Sequence, residues 1–293
     1  MKLGLHLYDF SWPGGAGQLG PTLVKIAQTA EVAGFDRIGT VDHVWQSHYL
    51  GGPEHEVPSC YPTLTYLAAH TSRIKLIALA TASPYWHPVL LAKTVTTLDV
   101  LSGGRAWLGI GAGDYEEEAV GSGLPFPPLA ERYERLEETL QICLRMWQGE
   151  RGDERPYEGK HYRIERPLNL PQSLSRPHPP ILIAGGGEHK TLPLVARYAD
   201  ACNLRPGPEI PQKLAILRQH CEAEGRDYDA IEKTCMFAFD VGEDGSKVDE
   251  LIGQLRWLAS MGIQTVIGVV PNIAAITPLE RIGRLVIPAV VDL

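Results

Sequence analysis

The amino-acid sequence predicts an α/β fold, a (β/α)8 TIM barrel, on two observations. Eight short apolar runs alternate with segments of helical pattern, which is typical of parallel strands joined by helices. The chain has 293 residues, of which 44% are hydrophobic, and a single barrel usually takes about 250 residues or slightly more. The eight predicted strands cover residues 3–7, 37–41, 74–80, 106–110, 181–184, 201–204, 235–241 and 265–270.

The longest interruption of this pattern is an insertion after the fourth βα unit. It covers about residues 149–180, follows a predicted helix at 132–147, and is rich in Pro, Arg and Glu. A loop of this length in a compact domain usually serves as a lid or contacts substrate, although it can also be a surface excursion without a role. Within it, Glu158 and Gly159 indicate a small hairpin. We therefore predict one domain over residues 1–293 that carries this insertion.

Composition narrows the class of ligand and the cellular location. The net charge of -8 argues against a nucleic-acid or anionic-membrane partner and favours a small-molecule substrate. The five cysteines have no metal-ligand spacing, so neither a metal site nor a disulfide framework is indicated. His6 and Asp9 interrupt the first apolar run before it reaches the length of a signal-peptide core. No apolar run approaches the ~18 residues of a membrane span. We expect a cytoplasmic protein.

The second predicted strand ends in an acid, an imidazole and an indole. Asp42, His43 and Trp45 follow it directly, at the end of the strand where barrels of this kind place their chemistry. His43 could instead be a structural residue at the barrel mouth. Aromatic residues also follow the first, third and fourth strands and suit a flat ring bound in a pocket, unless they only cover the core: Tyr8, Phe10, Trp12, Tyr85, Trp86 and Tyr115.

The fourth predicted strand runs into a glycine-rich segment. Gly109, Gly111 and Gly113 have the spacing G-x-G-x-G, which differs from the dinucleotide-binding fingerprint, and the next clear helix is expected only near Arg132. Glycine at these positions lets the backbone approach a flat ligand closely. Alternatively, the glycines only relieve crowding at the barrel mouth.

A further glycine group follows the fifth predicted strand. Residues 184–187 read Ala-Gly-Gly-Gly and precede a predicted helix at 192–198. Free backbone N–H groups and the positive end of a helix dipole favour a phosphate, and His189 and Lys190 could add positive charge. The same glycines could also form no more than a tight turn.

Three segments together resemble the bacterial-luciferase-like superfamily. They are His-Pro-Val-Leu-Leu-Ala-Lys at 87–93, Thr-Leu-Asp-Val-Leu-Ser-Gly-Gly-Arg at 97–105, and Leu-Gly-Ile-Gly-Ala-Gly at 108–113. The resemblance spans nearly the whole chain. Gly-Phe-Asp at 34–36 and the pair Asp42 and His43 are similar to the branch of oxidoreductases that use the deazaflavin coenzyme F420.

This resemblance implies roles for individual residues. His43 would be the general base that takes a hydroxyl proton, Asp42 would bind the edge of the cofactor ring, and Trp45 would help to close the pocket. A non-prolyl cis peptide or bulge near residues 81–83 would press on the ring. Sugar-phosphate relatives have Glu where this chain has Asp114, which is one methylene shorter, so Glu116 or Glu117 could replace it as the acid.

We therefore predict an F420-dependent oxidoreductase that transfers a hydride between the cofactor and a small alcohol, carbonyl or activated alkene. The alternatives are a monooxygenase that uses reduced FMN and a non-catalytic flavin-binding protein. A homodimer is expected because relatives are commonly dimers. The predicted catalytic residues are His43, Trp45 and Asp114, and the predicted cofactor-binding residues are Asp42, Thr81, Ala82, Ser83, Gly111, Gly113, Glu117, Ala184, Gly185, Gly186 and Gly187.

Overall fold

Eight parallel strands form a closed barrel. The computed structural model describes residues 1–293, apart from the side chain of Tyr49. Each strand pairs with the next along the chain, and the eighth pairs with the first through Lys2 opposite Thr265. The predicted barrel is thus confirmed. Its strands are Lys2–Leu7, Arg37–Thr40, Lys75–Ala78, Ala106–Gly111, Ile181–Ala184, Ala201–Leu204, Glu232–Ala238 and Thr265–Val269.

Helices surround the barrel and cover the outer faces of its strands. Because both faces of each strand are buried, the strands are nearly continuous apolar runs rather than alternating ones. The α-helices are Ala16–Ala33, Cys60–His70, Pro88–Ser102, Glu116–Gly121, Leu129–Met146, Thr191–Tyr198, Ile210–Glu224, Val248–Ser260, Thr277–Arg281 and Ile287–Val290. The 3-10 turns are His48–Leu50, Ser83–Tyr85 and Ile273–Ala275, and a π-helical turn is Ile282–Val286.

Glycine sets the end of several of these helices. The helix Ala16–Ala33 ends at Gly34, which has φ 93° and donates its N–H to the last turn. The helix Pro88–Ser102 begins with proline and ends at Gly103 with φ 74°. Glycine tolerates this left-handed conformation and proline lacks the N–H that a first turn leaves unpaired. Among the described residues, no helix has the length and apolar character of a membrane span.

The insertion at residues 149–180 lies against two helices. It contains the predicted hairpin, in which Tyr157–Glu158 pairs with Arg163–Ile164. Glu138, on the helix Leu129–Met146, accepts hydrogen bonds from three backbone N–H groups of the hairpin at 2.8–3.1 Å. Asp99, on the helix Pro88–Ser102, accepts two more from the end of the insertion. A role as a lid or substrate-binding segment remains a prediction.

Two local predictions differ from the structure. The seventh strand is Glu232–Ala238 rather than 235–241, so it begins three residues earlier. The expectation that the next helix after the glycine segment begins near Arg132 is wrong, because the short helix Glu116–Gly121 precedes the long one. Three consecutive glutamates occupy its first turn, where the helix dipole stabilises negative charge. This helix brings a carboxylate to the barrel mouth.

Candidate active site at the carboxyl ends of the barrel strands

A cleft of about 460 Å³ opens at the carboxyl ends of the strands. It extends from the second strand across the third, fourth and fifth to the sixth. Of the residues predicted to form the site, those that line this cleft are His43, Thr81, Ala82, Gly111, Gly113, Asp114, Ala184 and Gly185. The predicted residues outside this lining are Asp42, Trp45, Ser83, Glu117, Gly186 and Gly187.

His43 is paired with a buried carboxylate. Its Nδ1 lies 2.8 Å from Oε2 of Glu118, whose side chain is fully buried. Burial alone would lower the pKa of His43, but the hydrogen bond and the charge of Glu118 outweigh it and raise that pKa. The same pairing, against the opposing effect of burial, lowers the pKa of Glu118. The neutral imidazole therefore donates from Nδ1 and keeps Nε2 as a proton acceptor.

Glu118 is further held by the loop that carries His43. Oε1 accepts the backbone N–H of Val44 and, at 3.2 Å, that of Trp45. Oε2 also accepts the hydroxyl of Tyr85 at 3.1 Å. Glu118 thus fixes both the imidazole and the backbone next to it.

Glu118 is the important residue that the sequence analysis missed. Glu116 and Glu117, the predicted substitutes for Asp114 as the acid, are both exposed, as is Asp114 itself. Glu117 contacts His48 on the surface at 3.0 Å. No local signal distinguishes Glu118 from its two neighbours, because the three glutamates are consecutive and a helix of six residues does not show which of its faces is buried.

Asp42 and Trp45 lie near His43 in the chain but outside the lining of the cleft. Asp42 Oδ2 accepts the indole N–H of Trp86 at 2.8 Å, and burial raises the pKa of Asp42 to about 6. Trp45 packs on Gly121, where an added Cβ would lie 2.3 Å from the indole. Both residues therefore support the His43 loop, and their predicted ligand contacts remain predictions.

The third strand continues into a non-prolyl cis peptide between Leu79 and Ala80. The resemblance implied such a bond or bulge near residues 81–83, so it occurs slightly earlier than expected. After it, Thr81–Ala82 pairs with the end of the fourth strand. The hydroxyl of Thr81 lies 2.7 Å from that of Tyr61, and Thr81 is fully buried, as is Ser83.

Two glycines lie where the fourth strand and its continuation approach the third strand and the segment after it, beside the cleft. A Cβ at Gly109 would lie 2.0 Å from the carbonyl oxygen of Ala78, so only glycine fits there. Gly113 has φ 76° and lies opposite Ala82 and Pro84. The bare backbone at Gly111 and Gly113 leaves one wall of the cleft flat.

Gly185 lines the opposite end of the cleft, and its loop continues beside that end through Gly186 and Gly187. Gly185 has φ 112° and donates its N–H to the carbonyl of Asn203 at 3.0 Å. Among the described residues, no acceptor takes the backbone N–H groups of Gly186 and Gly187, which precede the helix Thr191–Tyr198. Arg205 borders the same end. These free donors and this cation suit a phosphate.

The described residues include no cluster of His, Cys, Asp and Glu that could hold a metal ion. The five cysteines are buried free thiols.

The profile of the luciferase-like monooxygenase family matches residues 1–282 of the chain. The chain belongs to this family. Curated relatives include the F420-dependent glucose-6-phosphate dehydrogenase of Kineococcus radiotolerans, 31% identical over 78% of this chain and 66% of that protein. That of Nakamurella multipartita is 30% identical over 76% of this chain and 65% of that protein. The chain thus spans slightly less than two thirds of these relatives.

Solved structures of the family share the fold. An F420-dependent secondary alcohol dehydrogenase in complex with an F420-acetone adduct superposes with a TM-score of 0.81 at 15% identity, over 99% of this chain and 98% of the other. A monooxygenase from Streptomyces bottropensis gives 0.79 at 21% identity, over 98% and 99%. Since both kinds of enzyme match equally well, the barrel alone does not distinguish them.

Proposed function

We propose that this luciferase-like protein is an F420-dependent oxidoreductase that transfers a hydride between the cofactor and a small alcohol or carbonyl compound. The observation that carries the proposal is the pair of His43 and Glu118 at one end of a cleft whose other end offers free backbone donors. Relatives named as F420-dependent glucose-6-phosphate dehydrogenases support it.

The residues of the cleft fit a deazaflavin with a phosphate-bearing tail. Gly111 and Gly113 provide the flat wall for a ring, and the free N–H groups of Gly186 and Gly187 with Arg205 provide donors for an anion. Ala80 and Ala82, in the segment that follows the third strand, line the space available for the cofactor ring. When bound, the cofactor supplies the hydride acceptor or donor of the reaction.

The chain's own part in the reaction is the transfer of a proton. In alcohol oxidation, Nε2 of neutral His43 takes the hydroxyl proton, and Glu118 stabilises the imidazolium that results. Because the pKa of His43 is raised, oxidation increases as the pH rises through that pKa. Carbonyl reduction needs the protonated imidazole and should have the opposite pH dependence. Asp114 is exposed at the cleft rim and can contact a bound ligand there.

A reduced-FMN monooxygenase is the alternative, since a monooxygenase shares the fold. A monooxygenase reaction would not require a general base next to a hydroxyl group of the substrate. The buried acceptor network around Glu118 keeps a proton acceptor in the cleft, which favours the dehydrogenase. Location in the cytoplasm and a homodimeric state are further parts of the proposal. Sedimentation of the purified protein would test the dimer.

The experiment is a titration of the purified protein with oxidised F420 while the absorbance and fluorescence of the cofactor are followed. The proposal predicts saturable binding and reduction of the bound cofactor by an alcohol substrate. Replacement of His43 by Ala should leave binding intact and reduce turnover roughly 10²–10⁴-fold, the usual contribution of a general base. A non-catalytic flavin-binding protein would give binding without turnover in either form.

A further inference from the structure

A second cavity adjoins the cleft between the ends of the first and eighth strands. Its volume is about 220 Å³. Polar groups that line it come from the segment after the first strand, Asp9 and Ser11, and from Asn272 after the eighth. Trp12, Val270 and Ile273 supply its apolar wall. Neither the family match nor the predicted site residues account for this cavity.

His6 connects the two cavities. It lines both of them, and its side chain is buried, with 5% of the residue exposed. Its Nδ1 has no hydrogen-bonding partner among the described residues. Burial and the nearby charge of His43 lower its pKa to about 4, so the ring is neutral at pH 7. A buried polar atom without a partner costs free energy unless a ligand or water satisfies it.

Away from the glycine loop and Arg205, the charges around both cavities are unfavourable for the phosphate group of a substrate. No Lys or Arg is among the described residues that line the second cavity, and its carboxylate, Asp9, lies 3.0 Å from His55. In the main cleft Arg205 is the one Lys or Arg among the lining residues, and it lies beside the glycine loop. The charged groups that raise the pKa of His43 are all carboxyl groups, Glu118, Asp114 and Asp42.

We propose that the second cavity is the substrate subsite, that it takes the substituent of an uncharged alcohol or carbonyl compound next to His6, and that phosphorylated sugars are excluded. This inference rests on the proposed function. In the oxidation, the carbinol carbon loses a hydride to the oxidised deazaflavin and the hydroxyl loses its proton to Nε2 of His43, which leaves a carbonyl group. The alcohol thereby loses two electrons and two protons: the hydride takes both electrons and one proton to the deazaflavin, and His43 takes the second proton.

The test first measures the Kd of F420, since absence of binding refutes the proposed function itself. With F420 bound, quenching of tryptophan fluorescence then gives Kd values for glucose, glucose 6-phosphate, glycerol, glycerol 3-phosphate and propan-2-ol, and turnover gives kcat/KM. We expect at least tenfold tighter binding and higher kcat/KM for the neutral member of each pair. Equal or better values for a phosphate ester, or no binding of any neutral probe, would overturn the inference.

Variants locate the subsite. His6→Asn should raise KM for the best neutral alcohol at least fivefold; since His6 also lines the main cleft, the Kd of F420 is measured alongside and should change less than twofold. His70→Asn is the matched control, because His70 is exposed at the end of an outer helix. If His6→Asn does not fold, as judged by circular dichroism, the comparison of neutral and phosphorylated probes on the native protein still decides. An unchanged KM in folded His6→Asn would exclude the subsite.

Discussion

Glu118→Gln separates the positioning of His43 from the stability of the fold. The carboxylate accepts two backbone N–H groups with Oε1, and the imidazole N–H and the Tyr85 hydroxyl with Oε2. In the amide, the oxygen can still accept the two backbone groups. The NH2 group then faces Nδ1 of His43, which has to become an acceptor, so the proton moves to Nε2 and the base is lost.

The expected loss in kcat/KM is roughly 10²–10⁴-fold, because a wrong tautomer removes general-base catalysis. Glu118→Ala adds a stability defect of about 1–3 kcal/mol, since the partly buried N–H groups of Val44 and Trp45 lose their acceptor. The amide variant should lose much less. In addition, loss of the negative charge should move the acid limb of the pH profile to lower pH, because Glu118 raises the pKa of His43.

The assay is F420 reduction by an alcohol from pH 5 to 9, together with the Kd of F420 and urea unfolding. Glu138→Gln is the matched control: Glu138 is also a buried glutamate that accepts three backbone N–H groups, but in the insertion hairpin. It should lose stability and keep both kcat and the pH profile. If Glu118→Gln retains kcat within threefold with an unshifted acid limb, the role of Glu118 in orienting His43 is refuted.

Three other predictions concern the barrel. Gly109→Ala should lower the free energy of unfolding, measured by urea unfolding, by about 3 kcal/mol or more, since its Cβ would lie 2.0 Å from a backbone carbonyl oxygen. Gly253→Ala, at a helix position with open space around it, should raise the free energy of unfolding by about 0.5–1 kcal/mol. Arg37→Ala should lower the free energy of unfolding by about 3 kcal/mol, because Glu232 loses its buried partner and keeps only the Thr265 hydroxyl and Lys2, which lies 3.6 Å away. Arg37 also outweighs burial to lower the pKa of Glu232, so the native protein should lose stability as the pH falls below about 4.5, and the variant should lose less over that range. Gly185→Ala, at φ 112°, should weaken F420 about tenfold in a fluorescence titration, with kcat at saturation unchanged.

The barrel could be predicted from the sequence because the alternation of a short apolar run with a helical segment is repeated eight times. Six of the eight predicted strands match the observed bounds within one residue. The seventh shifted because Glu232 and Lys233 are strand residues at the base of the barrel, and charged residues do not look like a buried strand. There Glu232 pairs with Arg37 from the second strand, which no local pattern reveals.

The candidate site was predicted less completely. His43 and the glycines were found because strand ends and glycine spacing are local features of the sequence. Glu118 and His6 were missed, because their importance comes from burial and from partners 75 residues away in the chain or across the barrel. Short helices such as Glu116–Gly121 have too few residues to show a periodic pattern.

The most direct measurement of the central claim is a parallel titration of the purified protein with oxidised F420 and with FMN under the same conditions. The account predicts saturable binding of F420 with at least tenfold preference over FMN, and reduction of the bound F420 when an uncharged alcohol is added. Preference for FMN, or failure of every alcohol to reduce bound F420 in the presence of intact His43, would contradict it.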